Sequence, residues 1–342
     1  MNPEDRHPPA LEISDLQDIA NSSGPFHSQK FRTGWAALLG PPNSGKSTLL
    51  NSMLGQKVSI VSPKPQTTRN QVTGILTRSD LQVVFLDTPG LHRLRGKMNS
   101  FLLKAAWQAL ARADMTVIVL DGALYRDRPH RLSEDLQPLR SAKVRLSQPL
   151  LVALNKIDKI KDRKALLPVM EQIAAIWPEA EIIPLSAATG EHLEALITGI
   201  AKSLPEGVPL FPDDQLSTVP LRFMASEIIW EKLFLNLHEE LPYRTAVDIE
   251  TWDETSKPGL TRIHAVIFVE RDSHKAMVIG KQGRNLKQIG QSARLELEEL
   301  LGNKVYLELW VKIRAKWSED ERFLLSLGFG SAPDLDAPGF DS

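Results

Sequence analysis

The chain contains no cysteine. That excludes a disulfide framework, a thiolate metal site and a cysteine nucleophile, and it fits a reducing cytosol. Long apolar runs are also missing: stretches such as Met115–Leu120 fall far short of the roughly 20 residues a spanning helix needs. The first thirty residues hold Pro, Ser, His and Asp without a basic-then-apolar pattern, so no secretory leader is visible. No excess of one charge exists either. Forty-one Lys and Arg stand against 42 Asp and Glu, a formal net charge of −1, so any nucleic-acid contact must come from a local basic patch. Internal repeats are absent as well.

What is present suits a soluble globular chain with a real core: 42% hydrophobic and 24% charged residues. At 342 residues, two domains are expected. Residues 1–33 read as a disordered tail with sparse apolar content. From Trp35 onward short apolar runs alternate with helical stretches. The candidate buried strands are Trp35–Leu39, Val83–Leu86, Met115–Leu120, Pro149–Leu154 and Glu181–Pro184, with helices such as Ser47–Leu54 and Ser100–Ala111 between them. This alternation predicts a mainly parallel, doubly wound α/β sheet over 34–204, with ligands beyond the strands' carboxyl ends.

A Pro-rich stretch over 205–220, with Pro205, Pro209, Pro212 and Pro220, predicts a linker. Residues 221–317 then predict helix, two strands, a short helix, a Gly loop, a long helix and a strand. In the last strand Val305, Leu307, Leu309, Val311 and Ile313 alternate with Tyr306, Glu308, Trp310, Lys312 and Arg314. In the preceding helix Leu286, Ile289, Ala293, Leu297 and Leu300 share one face. Residues 318–342 predict a short helix and an acidic, disordered tail.

The chemistry is concentrated in a few boxes. Gly40-Pro41-Pro42-Asn43-Ser44-Gly45-Lys46-Ser47, followed by Thr48, is a phosphate loop lying after a strand and before a helix. Its backbone N–H groups and the helix's positive end suit phosphates. Lys46 would reach the terminal phosphates, and the Ser47 hydroxyl would ligate Mg²⁺. Asn155-Lys156-Ile157-Asp158 ends another strand and selects the base. The Asp158 carboxylate can accept from both N1–H and the exocyclic amine of guanine, a donor pair adenine lacks. Asn155 would bond the base edge and the Lys156 stem would cover its face. Asp87-Thr88-Pro89-Gly90 offers Asp87 to Mg²⁺ through water and the Gly90 N–H to the γ-phosphate. Ser186-Ala187-Ala188 supplies a backbone donor to guanine O6. In Gln66-Thr67-Thr68-Arg69, Thr68 is the threonine expected to close over Mg²⁺ and the γ-phosphate, with Thr67 its neighbour. The boxes together predict a P-loop GTPase, in which water attacks GTP to give GDP and phosphate.

Downstream, Gly280-Lys281-Gln282-Gly283 matches the loop of a KH domain, where glycines let the backbone approach a sugar-phosphate strand. The predicted element order fits the bacterial, type II KH fold, an α+β unit. No acidic residue lies between Ser273 and Arg294, whereas Lys275, Lys281, Arg284, Lys287 and Arg294 all do. With Ile279, Gly280, Gln282 and Gly283 these form the candidate RNA-binding set. His274 is expected to be surface decoration.

The boxes as written (GPPNSGKST, QTTRN, DTPGLH, NKID, SAATG), with RFMASEIIWEKLFLNLHEELPY and MVIGKQGRNLKQIG, resemble the Era family of bacterial GTPases from about Gly34 to Gly328. The resemblance implies GTP hydrolysis, a role in small ribosomal subunit assembly, and binding of the 3′ end of small-subunit ribosomal RNA. It also implies peripheral association with the inner membrane, which no basic amphipathic helix or lipidation motif here supports independently. A monomer is expected. Leu91 stands where Ras-like proteins place a water-orienting glutamine; relatives of this family also carry an apolar residue there, so no side chain is an evident catalyst. In similar GTPases the asparagine at the place of Asn43 helps hold potassium, an ion that would supply the charge an arginine finger supplies elsewhere. One departure concerns Trp230, where family members commonly carry a basic residue; packing is expected for it. Two other readings stand beside the GTP-driven switch. One is a constitutive RNA-binding scaffold with a structural nucleotide. The other, a tRNA-modifying relative, needs a cysteine motif that this chain lacks.

Overall fold

Strand β1 (Arg32–Leu39) has Ala36, Ala37, Leu38 and Leu39 wholly buried, as expected of a central strand covered on both faces. It belongs to a computed structural model that describes residues 31–60, 72–88, 107–137, 149–237 and 241–328. Nearly all of the N-terminal tail, the acidic C-terminal tail and most of the helix expected at Ser100–Ala111 fall outside those residues.

The first unit runs β1, α1 (Lys46–Leu54), β2 (Val72–Arg78), β3 (Leu81–Asp87), β4 (Met115–Asp121), α2 (Gly122–Asp127) and α3 (His130–Asp135). It continues with β5 (Leu150–Asn155), α4 (Leu167–Ile176), β6 (Glu181–Pro184) and α5 (Leu193–Ser203). The six-stranded sheet has the order β2-β3-β1-β4-β5-β6. All its pairs are parallel except β2 with β3, which is antiparallel. Strand β2 is absent from the sequence-based expectation. Alternate residues of β4 serve opposite faces. Val117 and Val119 join a cluster with Leu49 of α1 and Ile200 of α5, while Ile118 and Leu120 join one with Val169 and Ile173 of α4. The carboxyl ends of β1, β3, β4 and β5 thereby converge on one edge.

The Pro-rich stretch is a fastened strap. Buried Gln82 accepts from the Leu210 and Phe211 N–H groups at 2.6 and 2.9 Å, and its Nε2 donates to Phe211 O at 2.8 Å. Ile75 N–H donates to Leu216 O, and Ser217 Oγ to Thr73 O. These partners are distant in sequence, so local composition alone reads the stretch as a linker.

The second unit runs α6 (Leu221–Asn236), β7 (Thr245–Asp253), β8 (Leu260–Val269), α7 (Asp272–Ile279), α8 (Arg284–Leu301) and β9 (Lys304–Ile313). Its sheet order is β7-β8-β9, with β7–β8 antiparallel and β8–β9 parallel. Ile263, Ala265 and Ile267 pack against Ile229 and Leu233 of α6 and Ile289, Ala293 and Leu297 of α8. The short terminal helix α9 (Glu321–Ser326), capped by Asp320 accepting from Phe323 N–H, brings Phe323 against Phe268 at 4.9 Å.

The two units touch. Trp230 is 2% exposed and packs with Phe234 of α6 and Ile60 of the first unit. The expected packing role of Trp230 is therefore what the structure has. Beside it, Lys57 Nζ bonds Glu231 Oε2 at 2.6 Å and also Glu296.

Candidate functional site

The turn between β1 and α1 is built for backbone donors. Gly40 and Gly45 have φ of 147° and 99°, and Asn43 adopts φ 61°. A Cβ on Gly45 would lie 2.3 Å from Asn155 Nδ2, so the loop packs directly on the base-selecting box. Pro42 completes the turn, and Lys46, Ser47 and Thr48 open α1. Lys46 Nζ donates to Gly40 O at 3.1 Å and Pro41 O at 3.0 Å, inside the loop. Burial drives its pKa down to about 8; Asp87 opposes the shift and Lys156 adds to it.

Asp87 is wholly buried at the end of β3. Its Oδ2 accepts from Ser47 Oγ at 2.8 Å and from Ser59 Oγ at 2.9 Å. Burial raises its pKa, against the opposing pull of Lys46, Ser47 and Ser59. Asp87 Oδ1 is buried without a hydrogen-bond partner among the described residues. A buried carboxylate oxygen left open beside a serine hydroxyl is a donor set suited to a hard cation, so Ser47 and Asp87 fit Mg²⁺. Thr88 Oγ1 donates to Leu38 O, fixing this turn to β1. Thr68, Pro89, Gly90 and Leu91 lie outside the described residues.

Asn155 is 2% exposed, and its amide bonds within the protein. Nδ2 donates to Ser44 O at 2.9 Å, while Oδ1 accepts from Lys156 N at 2.7 Å and Ala187 N at 2.9 Å. A buried amide must be satisfied, and here it ties three boxes together. Lys156, at φ 66°, bonds Asn43 O and Asp121 Oδ2, the latter at 2.7 Å. Sequence reasoning misses Asp121; its position at the end of β4, level with Asn155, is the available signal. Ile157 is buried, while Asp158 is exposed and accepts from Ser186 Oγ at 2.7 Å. Ala188 is exposed beside it.

In the second unit Gly280 turns at φ 73°, and a Cβ there would meet Asn285 Cγ at 2.7 Å. Asn285 Nδ2 in turn donates to Met277 O, bracing α7 against α8. A groove of about 1260 Å³ opens beside the loop, lined by Gly280, Lys281, Arg284, Arg244, Arg271 and His274 among others. Gln282, Lys281 and Arg284 are exposed, and Gly283 and Ile279 are half-buried. Lys275, Lys287 and Arg294 do not line the groove. Arg294 sits ten residues along α8 from Arg284, about 15 Å away, and faces Glu298 at 3.7 Å. Arg244 and Arg271 escape sequence reasoning because they precede the acid-free window. His274 is a correction: it is buried, and its Nε2 accepts from Arg271 Nε at 2.8 Å. Burial and then Arg271 hold its pKa below the ordinary range.

The comparisons agree with this geometry. A family model described as 50S ribosome-binding GTPase matches residues 36–156, and one described as KH domain matches 240–318. The GTPase Era of Nitratidesulfovibrio vulgaris (strain Miyazaki F) is 52% identical over 297 residues, covering 87% of this chain and 97% of that protein. That of Desulfovibrio desulfuricans is 51% identical over 298 residues, with 87% and 97% covered. Two solved structures, each 39% identical at a TM-score of 0.81, cover 88% of this chain and all of theirs. One is a single-substitution variant of Aquifex aeolicus Era bound to GDP·AlF4⁻, the other Era in complex with MgGDPNP and nucleotides 1506–1542 of 16S ribosomal RNA. With about half of the aligned residues identical along almost the full length of those relatives, and with a P-loop GTPase unit followed by a KH unit, the chain belongs to the GTPase Era family.

Proposed function

We propose that this GTPase is a switch whose GTP state lets the KH unit hold the 3′ end of small-subunit ribosomal RNA, in the service of small-subunit assembly. The observation that supports it most is the groove beside Gly280–Gly283, with Arg244, Arg271, Lys281 and Arg284 on its walls, in the same chain as the phosphate loop. A neighbour similar over 88% of this chain was solved with MgGDPNP and 16S ribosomal RNA nucleotides together. A cytoplasmic monomer, attached peripherally to the inner membrane at most, belongs to the same reading. Among the described residues no helix is long and apolar enough to cross a membrane.

In the hydrolytic step water attacks the γ-phosphate, and GDP leaves. Lys46 Nζ, which donates to Gly40 O and Pro41 O, exchanges these carbonyls for terminal phosphate oxygens. Ser47, Thr68 and Asp87 would hold Mg²⁺, which would supply positive charge to the phosphates. Thr68 and the Gly90 N–H close over the γ-phosphate. Asp158 and the Ser186–Ala188 backbone read the guanine. Since Leu91 cannot orient water, Asn43 would either hold K⁺, which would supply the further charge, or be purely structural; equal hydrolysis rates in sodium and potassium would remove that ion.

Fluorescence anisotropy with a labelled RNA ending in the 3′ sequence of small-subunit ribosomal RNA tests the partner. At least tenfold tighter binding than for a scrambled RNA of equal length is expected. Equal affinity for both would contradict the assignment.

A further inference from the structure

Shortly after α1, residues 57–60 touch both units. Ser59 is 3% exposed, and its hydroxyl donates to Asp87 Oδ2 at 2.9 Å. Its backbone is clamped by one side chain: Asn51 Oδ1 accepts from the Val58 and Ser59 N–H groups, both at 3.0 Å, and Asn51 Nδ2 donates to Ser59 O at 2.7 Å. Two residues earlier, Lys57 reaches the KH unit through Glu231 on α6 and Glu296 on α8. Glu231 is 5% exposed, and Lys232 joins the same carboxylates. Burial opposes a charge on Lys57, but the hydrogen bonds of Glu231 and Glu296 outweigh it and hold the ammonium above its ordinary pKa. One residue later than Ser59, Ile60 packs on Trp230 and Phe234 of α6.

We propose that Ser59 is a positioning residue for Asp87, and that residues 57–60 make its placement depend on the seating of the KH unit. The inference rests on reading Ser47 and Asp87 as the Mg²⁺-holding pair. Degrees of freedom decide the matter. Asp87 carries two serine hydroxyls on one oxygen, which turns Oδ1, the oxygen without a partner among the described residues, toward the cation side. One of those hydroxyls comes from α1 of its own unit. The other hangs on a short segment whose flanking side chains are anchored to helices of the second unit. A shift of α6 and α8 that draws Lys57 and Ile60 with it must move Ser59 Oγ, unless Asn51 alone holds the backbone. Buried, packed contacts of this kind transmit displacement instead of absorbing it. Trp230 gives Ile60 an apolar seat.

The test is a Mg²⁺ titration of the release rate of a fluorescent GDP analogue from the full chain without RNA, so it reads metal and nucleotide binding and not turnover. Ser59→Ala is expected to raise the Mg²⁺ concentration at half-maximal retention roughly tenfold, the worth of a lost bond to a charged group. Ser59→Thr, which keeps the hydroxyl, restores the wild-type midpoint, and circular dichroism verifies that each variant is folded. Lys57→Met is expected to raise the midpoint roughly threefold, and the double variant falls short of the product of the two. An unchanged midpoint in Ser59→Ala or Lys57→Met, or strictly multiplicative effects, overturns the proposal. Asp87→Asn is the control for the underlying reading: if it leaves the midpoint unmoved, the Mg²⁺ pair itself is wrong and the proposal falls with it.

Discussion

Ser47 Oγ donates to Asp87 Oδ2 at 2.8 Å, across 40 residues of sequence, and this one bond joins the phosphate loop to the end of β3. It requires that β1 and β3 be adjacent parallel strands, which they are, with Leu38 opposite Asp87 in the register. The sheet order therefore brings together the two residues proposed to hold Mg²⁺.

Asp87→Asn keeps the shape of that site but removes its charge. GTP hydrolysis at fixed Mg²⁺ should fall about 10- to 100-fold, the range for partners of a metal's ligand sphere. Hydrolysis at the wild-type rate would contradict the role given to Asp87.

Asp158→Asn should exchange the base that is read. An amide can donate to the 2-oxo group of xanthine but cannot accept from both guanine donors, so GTP affinity should drop by about one to two orders of magnitude while xanthosine triphosphate gains. Competition binding with the two nucleotides decides it. Undiminished preference for GTP would show that Asp158 does not face the base.

The KH groove makes a prediction in salt. Lys281 is exposed at the loop and Arg284 follows it on α8. Replacing Lys281 with Ala should reduce the slope of log affinity against log salt by about 0.7, one phosphate contact on a single strand. The same substitution at Arg294, which faces Glu298 farther along the helix, should leave the slope nearly unchanged.

His274 gives a pH dependence. Burial and Arg271 push its folded pKa below the ordinary value near 6.5. On acidification the unfolded chain takes the proton first. His274 therefore contributes stability above about pH 6.5, which is lost as pH falls toward the folded pKa. Protonation also removes the Nε2 lone pair that accepts from Arg271. Urea midpoints at about pH 7.5 and pH 5.5, above and below the unfolded value, should separate for the wild type and draw together for His274→Gln. An identical acid drop in both proteins would contradict this.

The nucleotide boxes are legible in the sequence because each is local: Gly40–Ser47 and Asn155–Asp158 carry their chemistry within a few residues of a strand end. Their mutual roles are not legible. Asn155 binds Ser44 O and Ala187 N, partners 111 and 32 positions away, and no local pattern announces them. Strand β2 escapes notice because Val72–Arg78, broken by Gly74 and two threonines, lacks both a continuous apolar run and clean alternation. The strap over 205–220 looks like a linker because Gln82, which fastens it, lies in another strand. His274 misleads because it is a polar residue on the buried face of its short helix, four residues before buried Val278. In the KH unit the alternation of Val305–Arg314 and the apolar face of α8 are strong enough to place both elements from sequence.

GTP binding and RNA binding, on this reading, are coupled in one chain. The most direct measurement is the affinity of the full chain for an RNA ending in the small-subunit 3′ sequence, once with a non-hydrolysable GTP analogue and once with GDP. Coupling predicts binding at least tenfold tighter in the GTP-like state, about 1.4 kcal/mol or more. Equal affinity in the two states would contradict the switch and leave a constitutive RNA-binding scaffold.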